Sequence, residues 1–284
     1  MSYREKSALI DRNNPTINLS RQAELLQISR SGVYYQPIIN QQEISILNAI
    51  DEIYTACPFY GSRKIKEQLE REYEIEICRD YVRHLMKTLG LQAIYPSKNP
   101  NLSLNGKFHK RYPYLLRNLE IAHPNHVWSA DITYIRLKHG FAYLVAILDW
   151  FSRYVMSWQL SETLESDFCV QTLEKALEIN LPDFHNSDQG SQFTSKEYLS
   201  VLEEKDVQIS MDGRGRYLDN IFTERLWRTV KYENVYLNDY QDIHEAEKGL
   251  TDYFHFYNHR RIHQSLAYKT PAEIYFQKAN LTIN

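Results

Sequence analysis

Three acidic residues in the second half of the chain have the type and placement that divalent-metal chemistry needs. Asp131 lies inside a β-rich apolar run, Asp188 ends a short strand before a turn, and Glu224 falls early in a helix. A carboxylate inside an apolar strand is costly unless it faces an open site, a metal ion or a partner. If the three carboxylates converge, they form a hard-oxygen site for Mg²⁺ ions, which would hold the attacking and leaving oxygens of a phosphoryl transfer.

The elements that must position these acids follow from the pattern after residue 122. Three β-rich runs predict an antiparallel meander, and alternating helices and strands follow, ending in a helix from about Asp219 to Tyr232. This order predicts an α/β fold, a mixed sheet with flanking helices. A last amphipathic helix near residues 243–257 leads into a tail that we expect to be irregular.

The first 94 residues are predicted to be all-α. A helix capped by Ser20 and a short helix ending before Pro37 outline a helix-turn-helix, with an ordinary helical hairpin as the alternative. A second pair has an apolar stripe of Ile65 and Leu69, a β-rich link, and a helix over residues 79–89 that ends at Gly90.

Basic residues are concentrated in the first 120 positions, which hold 17 Lys and Arg against 13 Asp and Glu, whereas the rest holds 16 against 23. The helix over residues 79–89, which is α6 of the chain, carries a row at four-residue spacing, here called the α6 basic stripe: Arg79, Arg83 and Lys87. A proline-containing linker over 95–122 adds the cluster Lys107, Lys110 and Arg111. These residues are candidates for contacting DNA phosphates, and a merely solvated basic face is the alternative.

The overall composition excludes several classes of protein. Hydrophobic residues at 43% and charged residues at 24% argue against a disordered or low-complexity chain. The longest apolar run, Phe141 to Leu148, is too short to cross a bilayer, so we expect no membrane association. Three widely spaced cysteines predict neither a disulfide framework nor a cysteine zinc site, and favour a cytoplasmic protein.

The spacing and surroundings of the three acids resemble those of a known family. There are 56 residues between Asp131 and Asp188 and 35 between Asp188 and Glu224, in the contexts WSADITYI, HNSDQGSQF and DNIFTERLWRTVKYE. The tail YNHRRIHQSLAYKTP adds a further match. Over about residues 55–276 the chain resembles DDE transposases with a ribonuclease-H-like, retroviral-integrase-type core. More narrowly, it is similar to OrfB of the two-frame, IS-three type of bacterial insertion sequence.

The resemblance implies roles for individual residues. Asp131, Asp188 and Glu224 would be the catalytic metal ligands for Mg²⁺, with Mn²⁺ as a possible substitute. Lys231 would contact DNA near the reacting phosphate, and because it lies two helical turns after Glu224 it would face the same site. Arg228, on the same helix face, is a further candidate for DNA contact.

The implied activity is that of an insertion-sequence transposase. It would hydrolyse a phosphodiester at the 3′ end of a mobile element and direct the freed 3′-hydroxyl at another DNA phosphate, without a covalent protein–DNA intermediate. The implied partners are DNA (terminal inverted repeats and target), further copies of this chain, and a first-frame protein, OrfA. The expected location is the nucleoid of a bacterial cytoplasm. The predicted domains are a DNA-binding region at 1–94, the basic linker at 95–122 and the catalytic core with its tail at 123–284.

The sequence also leaves alternative functions and alternative site residues open. The chain could be a non-catalytic helix-turn-helix DNA-binding protein that keeps a decayed core, or a plain ribonuclease-H-like nuclease. Asp149 competes with the three acids, and we interpret it as a turn and capping residue. Three histidines recur at metal-ligand spacing, His255, His259 and His263, but no cysteine accompanies them, and we predict no zinc site there.

Overall fold

The fold is known from a computed structural model, which describes residues 3–34, 40–94, 112–212 and 221–279. By its internal contacts the chain divides into two compact units, Met1–Glu52 and Ile53–Asn284. The domain division proposed from the sequence, at residues 94 and 122, stays a prediction. Much of the predicted linker, residues 95–111, lies outside the described residues.

The first unit is helical. It contains α1 (Tyr3–Ala8), α2 (Leu19–Leu25), α3 (Arg30–Tyr34) and the start of α4 (Gln41–Ala56), a helix that the sequence analysis did not include. The helix predicted to be capped by Ser20 is capped instead by Asn18, whose side-chain oxygen accepts a hydrogen bond from the Arg21 backbone N–H. Asn is as good an N-cap as Ser, so the cap lies two residues earlier than predicted. Pro37 lies outside the described residues.

The second helical pair is α5 (Ser62–Tyr73) and α6 (Arg79–Thr88), and it belongs to the second unit. Its predicted apolar positions are buried, because Ile65, Leu69, Val82 and Leu85 have no exposed surface. The link between the two helices, expected to be β-rich, contains no strand. Gly90 has a φ of 71° just after α6 ends, a left-handed conformation that glycine adopts without steric cost.

The sheet has five strands: β1 (Val127–Arg136), β2 (Phe141–Asp149), β3 (Val155–Ser161), β4 (Phe184–Ser187) and β5 (Gln208–Met211). Their order is β3-β2-β1-β4-β5. The first three form the predicted antiparallel meander, and β4 and β5 add in parallel after α7 (Asp167–Ile179) and α8 (Lys196–Glu203). The predicted mixed sheet with flanking helices is confirmed.

Helices cover both faces of this sheet, which explains the continuous apolar run in β2. Val145 and Ile147 pack into a core with α7 and α8, whereas Leu144, Ala146 and Leu148 pack into a second core with the helices that follow β5. A strand buried on both faces needs apolar residues at every position rather than at alternate ones.

The chain after β5 builds the second core. It contains α9 (Ile221–Val230), a π-helical turn (Lys231–Val235), α10 (Tyr236–Asn238), α11 (Ile243–His259), a 3-10 turn (Gln264–Leu266) and α12 (Pro271–Ala279). The predicted start of α9 at Asp219 lies outside the described residues. The expectation of an irregular tail is wrong, because Thr270 and Glu273 form a reciprocal capping box that starts α12.

Two side-chain connections hold the end of α11 and the segment after it, one to the sheet and the other to the π-helical turn. The Asn258 amide bonds the backbone N–H and C=O of Val155 at 2.9 and 3.0 Å, so it pairs with β3 as a neighbouring strand would. Arg261 forms two hydrogen bonds with the carboxylate of Glu233, at 2.6 and 2.5 Å. Across the described ranges, no helix is both long and apolar enough to span a bilayer.

Candidate active site

Asp131 lies in the middle of β1, the central strand of the sheet. One of its carboxylate oxygens accepts a hydrogen bond from the Ile132 backbone N–H at 2.8 Å, and the other accepts from the Trp227 indole N–H at 2.9 Å. The surrounding protein removes water from the carboxyl and, together with the negative charge of Asp188, raises its pKa to about 7 against the opposing effect of these bonds.

Asp188 follows the carboxyl end of β4, next to β1. In the parallel register Ala130 lies opposite Ser187, so Asp131 and Asp188 are the next residues along two neighbouring strands. The backbone N–H of Gly190 donates to Asp188 Oδ1 at 2.8 Å. The residue reaches the protein surface, yet nearby protein atoms partly desolvate its carboxyl and raise its pKa.

Glu224 lies in the first turn of α9 and its side chain is exposed. The helix packs on β1 through the Trp227 bond to Asp131 and through a 2.7 Å contact between the hydroxyls of Ser129 and Thr223. Trp227 is three positions after Glu224, so both lie on adjoining parts of one helix surface.

The carboxylate oxygens of the three acids do not all lie within 4.8 Å of one another. Among the described residues, the group of three or more metal-binding side chains whose ligand atoms all lie within 4.8 Å of one another is His123, His126 and Asp183. Nδ1 of His126 in that group accepts a hydrogen bond from the Ala122 backbone N–H. Joint metal binding by Asp131, Asp188 and Glu224 therefore stays a prediction.

Lys231 and Arg228 follow Glu224 on α9 and the π-helical turn. Burial lowers the pKa of the Lys231 ammonium, and the charge of Asp131 opposes that shift, so this lysine acts electrostatically on the acid site. Arg228 is exposed, with its guanidinium 5.6 Å from the centre of the Tyr232 ring.

Two further aspartates lie close to this region. Asp149 is fully buried and accepts hydrogen bonds from the Asn125 and Ser152 backbone N–H groups, each at 2.7 Å, as expected of a turn and capping residue. Asp212, which the sequence analysis did not single out, follows β5 and accepts a 2.8 Å hydrogen bond from the Asn186 side chain, and its charge also raises the pKa of Asp131. Its position after a parallel strand is the signal that could have found it.

The α6 basic stripe is exposed to solvent. Arg79 lies 3.5 Å from the Ser62 hydroxyl, and Arg83 makes a loose 3.9 Å ion pair with Asp80. Within the described residues, the stripe makes no ion pair with the glutamates of α5 or of the link after it. Its members are free to meet phosphates, but DNA contact by the stripe stays a prediction. Lys107, Lys110 and Arg111 lie outside the described residues.

Comparison with known proteins identifies the family. Profiles described as "Integrase core domain" match residues 122–216 and 205–271, and one described as "HTH-like domain" matches residues 41–99. A protein of Escherichia coli (strain K12), named as transposase InsK for insertion sequence element IS150, is 32% identical over 91% of this chain and 93% of its own length. The chain belongs to the insertion-sequence transposase family. It is a DNA transposase, a polynucleotidyl transferase with an integrase core and an N-terminal helix-turn-helix-like region.

Other relatives have the same character. The transposase for insertion sequence element IS629 of Shigella sonnei is 31% identical over 75% of this transposase and 73% of its own length. Among solved structures, the HTLV-2 integrase catalytic core domain in complex with magnesium is 22% identical, covers 54% of the chain and 97% of that domain, and has a TM-score of 0.46. No finding favours the alternative of a decayed, non-catalytic protein.

Proposed function

We propose that this transposase cleaves and joins DNA strands with Asp131, Asp188 and Glu224 as its catalytic metal ligands and Mg²⁺ as the metal, with Mn²⁺ as a substitute. The observation that carries the proposal is the pairing of Asp131 with Asp188. Burial, followed by the charge of Asp188 at the same level of the adjacent parallel strand, raises the pKa of Asp131 to about 7, an electrostatic cost that a divalent cation would remove.

The residues present fit such an ion. Their metal-ligand atoms would be carboxylate oxygens, which Mg²⁺ prefers. The Trp227 N–H fixes the orientation of the Asp131 carboxylate. The exposed side chain of Glu224, on the adjoining surface of α9, is free to turn toward the two aspartates. When bound, Mg²⁺ stabilises the negative charge that develops on the transferring phosphoryl group.

The protein's own part is to position DNA rather than to supply a nucleophile. Phosphoryl transfer needs the attacking oxygen and the phosphate held in line, and asks for little covalent chemistry from side chains. In the first reaction the attacking oxygen belongs to water, and in the second it belongs to the 3′-hydroxyl of the element. Lys231, electrostatically coupled to Asp131, would hold a phosphate of the reacting strand, with Arg228 next to it.

The same proposal assigns the remaining parts of the chain. Residues 1–94 and the basic linker at 95–122 would hold DNA at the terminal inverted repeats, partly through the α6 basic stripe and partly through Lys107, Lys110 and Arg111. Residues 123–284 would carry out the chemistry. We further propose that the transposase acts in the nucleoid of a bacterial cytoplasm as a homo-oligomer on DNA, with a first-frame OrfA protein as partner.

The test is strand cleavage and strand transfer on element-end DNA with Mg²⁺ or Mn²⁺. Asp131→Asn, Asp188→Asn and Glu224→Gln should each abolish both reactions and leave DNA binding largely intact. Asp206→Asn is the matched control, because Asp206 is an exposed aspartate before β5 whose left-handed backbone, with φ of 54°, Asn also adopts. Near-normal activity in any of the three variants would remove that residue from the proposed site.

A further inference from the structure

A cleft rich in positive charge lies beside α9, within the second unit of the chain. Two adjoining cavities of about 510 Å³ each share Lys64, Arg225 and Arg261 in their walls. Further cations from α5, α6, the β2–β3 turn and α9 line one or the other, namely Arg63, Arg79, Arg153 and Arg228. We call the two together the basic cleft.

The acidic residue in the walls of the basic cleft, among those described, is Glu233. Its carboxylate is already occupied, because Arg261 binds both of its oxygens and the Tyr253 hydroxyl donates to one of them. The pair with Arg261 neutralises two charges and leaves the other cations of the cleft uncompensated.

Lys64 shows the effect of this excess charge. Burial, followed by the charge of Arg261, lowers the pKa of Lys64 to about 7, although Glu233 acts in the opposite direction. His263 behaves alike, since burial and then the charges of Arg261, Lys64, Arg153 and Arg225 lower its pKa. The arginine charges that disfavour protonation of Lys64 and His263 would also attract an anion into the cleft.

Arg153 provides an independent sign of a missing partner. It has a left-handed backbone, with φ of 65°, and its guanidinium lies 3.7 Å from the centre of the Phe222 ring. Its Nη1 is buried, and no described residue gives it a hydrogen-bond partner. A buried donor ordinarily has an acceptor, and a phosphate oxygen in the basic cleft would supply the one that the described residues do not.

We propose that the basic cleft holds phosphates of the DNA backbone, with Lys64, Arg153 and Arg225 as their ligands. This rests on the proposed function, because it takes DNA as the substrate. Helical periodicity places Trp227 and Glu224 toward one flank of α9 and Arg225 and Thr229 toward the other, with Arg228 between them. A strand that crosses α9 would therefore meet the acids on one flank and the basic cleft on the other.

The test uses the full chain and a short labelled DNA duplex, without divalent metal, so that failure of the metal site cannot affect it. The variants are Arg225→Gln, Lys64→Met and their combination, and the control is Lys205→Gln, a surface cation outside the cleft. Affinity is measured over a salt series. Each lost phosphate contact should reduce the slope of log affinity against log salt by about 0.9, so the double variant should lose about 1.8 and the control should lose nothing.

Unchanged affinity and slope in an Arg225→Gln protein that melts like the wild type would overturn the proposal. Because the Arg225 side chain is exposed, this variant keeps the test valid even if Lys64→Met fails to fold. A second readout is the pKa of Lys64, followed by NMR of labelled lysines. DNA should raise this pKa in the wild type. A separate experiment measures binding of inorganic phosphate and pyrophosphate to the same proteins. If they stabilise the wild type while the cleft variants bind DNA normally, the cleft serves a small anion and the DNA assignment is wrong.

Discussion

The ion pair between Glu233 and Arg261 offers the sharpest test of how the tail is held. Their side chains are only 12% and 10% exposed, and two hydrogen bonds join them. Glu233→Gln keeps the shape of the side chain but leaves the Arg261 guanidinium buried beside Lys64 without a counter-charge. Breaking a buried pair in this way costs about 3–5 kcal/mol. For a unit of this size each kcal/mol lowers the melting midpoint by about 2–4 °C, so we expect a fall of about 6–20 °C.

The matched control is the exposed pair between Arg71 and Glu273, 2.7 Å apart with side chains 36% and 37% exposed. Solvent screens this pair, so Arg71→Gln should cost less than about 1 kcal/mol. Both variants are compared with the wild type by calorimetry or circular dichroism melting. A Glu233→Gln midpoint no lower than that of Arg71→Gln would refute the reasoning.

The pH dependence of this pair has a definite sign. Burial would raise the pKa of Glu233, but the charge and hydrogen bonds of Arg261 outweigh it and lower the pKa below its ordinary 4.5. A carboxyl whose folded pKa is lowered stabilises the protein fully above its unfolded pKa, and loses that contribution as pH falls through the folded value. The stability difference between wild type and Glu233→Gln should therefore be full at neutral pH and shrink below pH 4.5.

Three further outcomes follow from the structure. Gly190→Ala would place a Cβ 2.8 Å from Oδ1 of Asp188. This should displace the carboxylate and lower the rate of strand cleavage on the order of 10²-fold. A variant that melts close to the wild type and cleaves at the full rate would contradict this. Gly249→Ala would place a Cβ 2.1 Å from the Tyr240 hydroxyl. This overpacking should lower the free energy of unfolding, measured by denaturant titration, by about 1–3 kcal/mol. An unchanged free energy would mean that the Tyr240 ring has room to move. Replacing the three residues of the α6 basic stripe by Ala should reduce the salt dependence of DNA binding, and an unchanged slope in binding isotherms would identify the stripe as a solvated face.

The strands were predictable because their signals are local. The continuous apolar run of β2 and the β-rich runs beside it predict strands whatever their partners are, and the short connections between them favour a meander. Capping signals are also local, and the start of α12 was available in the sequence, since Thr270-Pro271-Ala272-Glu273 combines an N-cap, a proline in the first turn and a capping-box glutamate. The prediction of an irregular tail overlooked that signal.

The contacts of the site were less predictable because they join residues distant in sequence. The type and spacing of the acids indicate Asp131 and Asp188, and the parallel register then places them side by side. Nothing local shows that an indole 96 positions later donates to Asp131, or that Arg153 ends as a buried guanidinium above Phe222. Such pairings depend on how helices pack across the sheet, which periodicity does not specify.

Each outer strand of the sheet makes hydrogen bonds outside its strand pairing at one end, and this bears on how copies of the chain would pack against one another. At β3 the Asn258 amide takes the two backbone groups of Val155, and at β5 the chain near residue 113 runs alongside, where Met211 N–H faces the Pro113 carbonyl and Leu115 N–H donates to the Ser210 hydroxyl. A neighbour that joined by extending the sheet would first have to break these bonds. In the proposed homo-oligomer, contacts through helical surfaces would leave these bonds in place, whereas contacts through the ends of β3 and β5 would not.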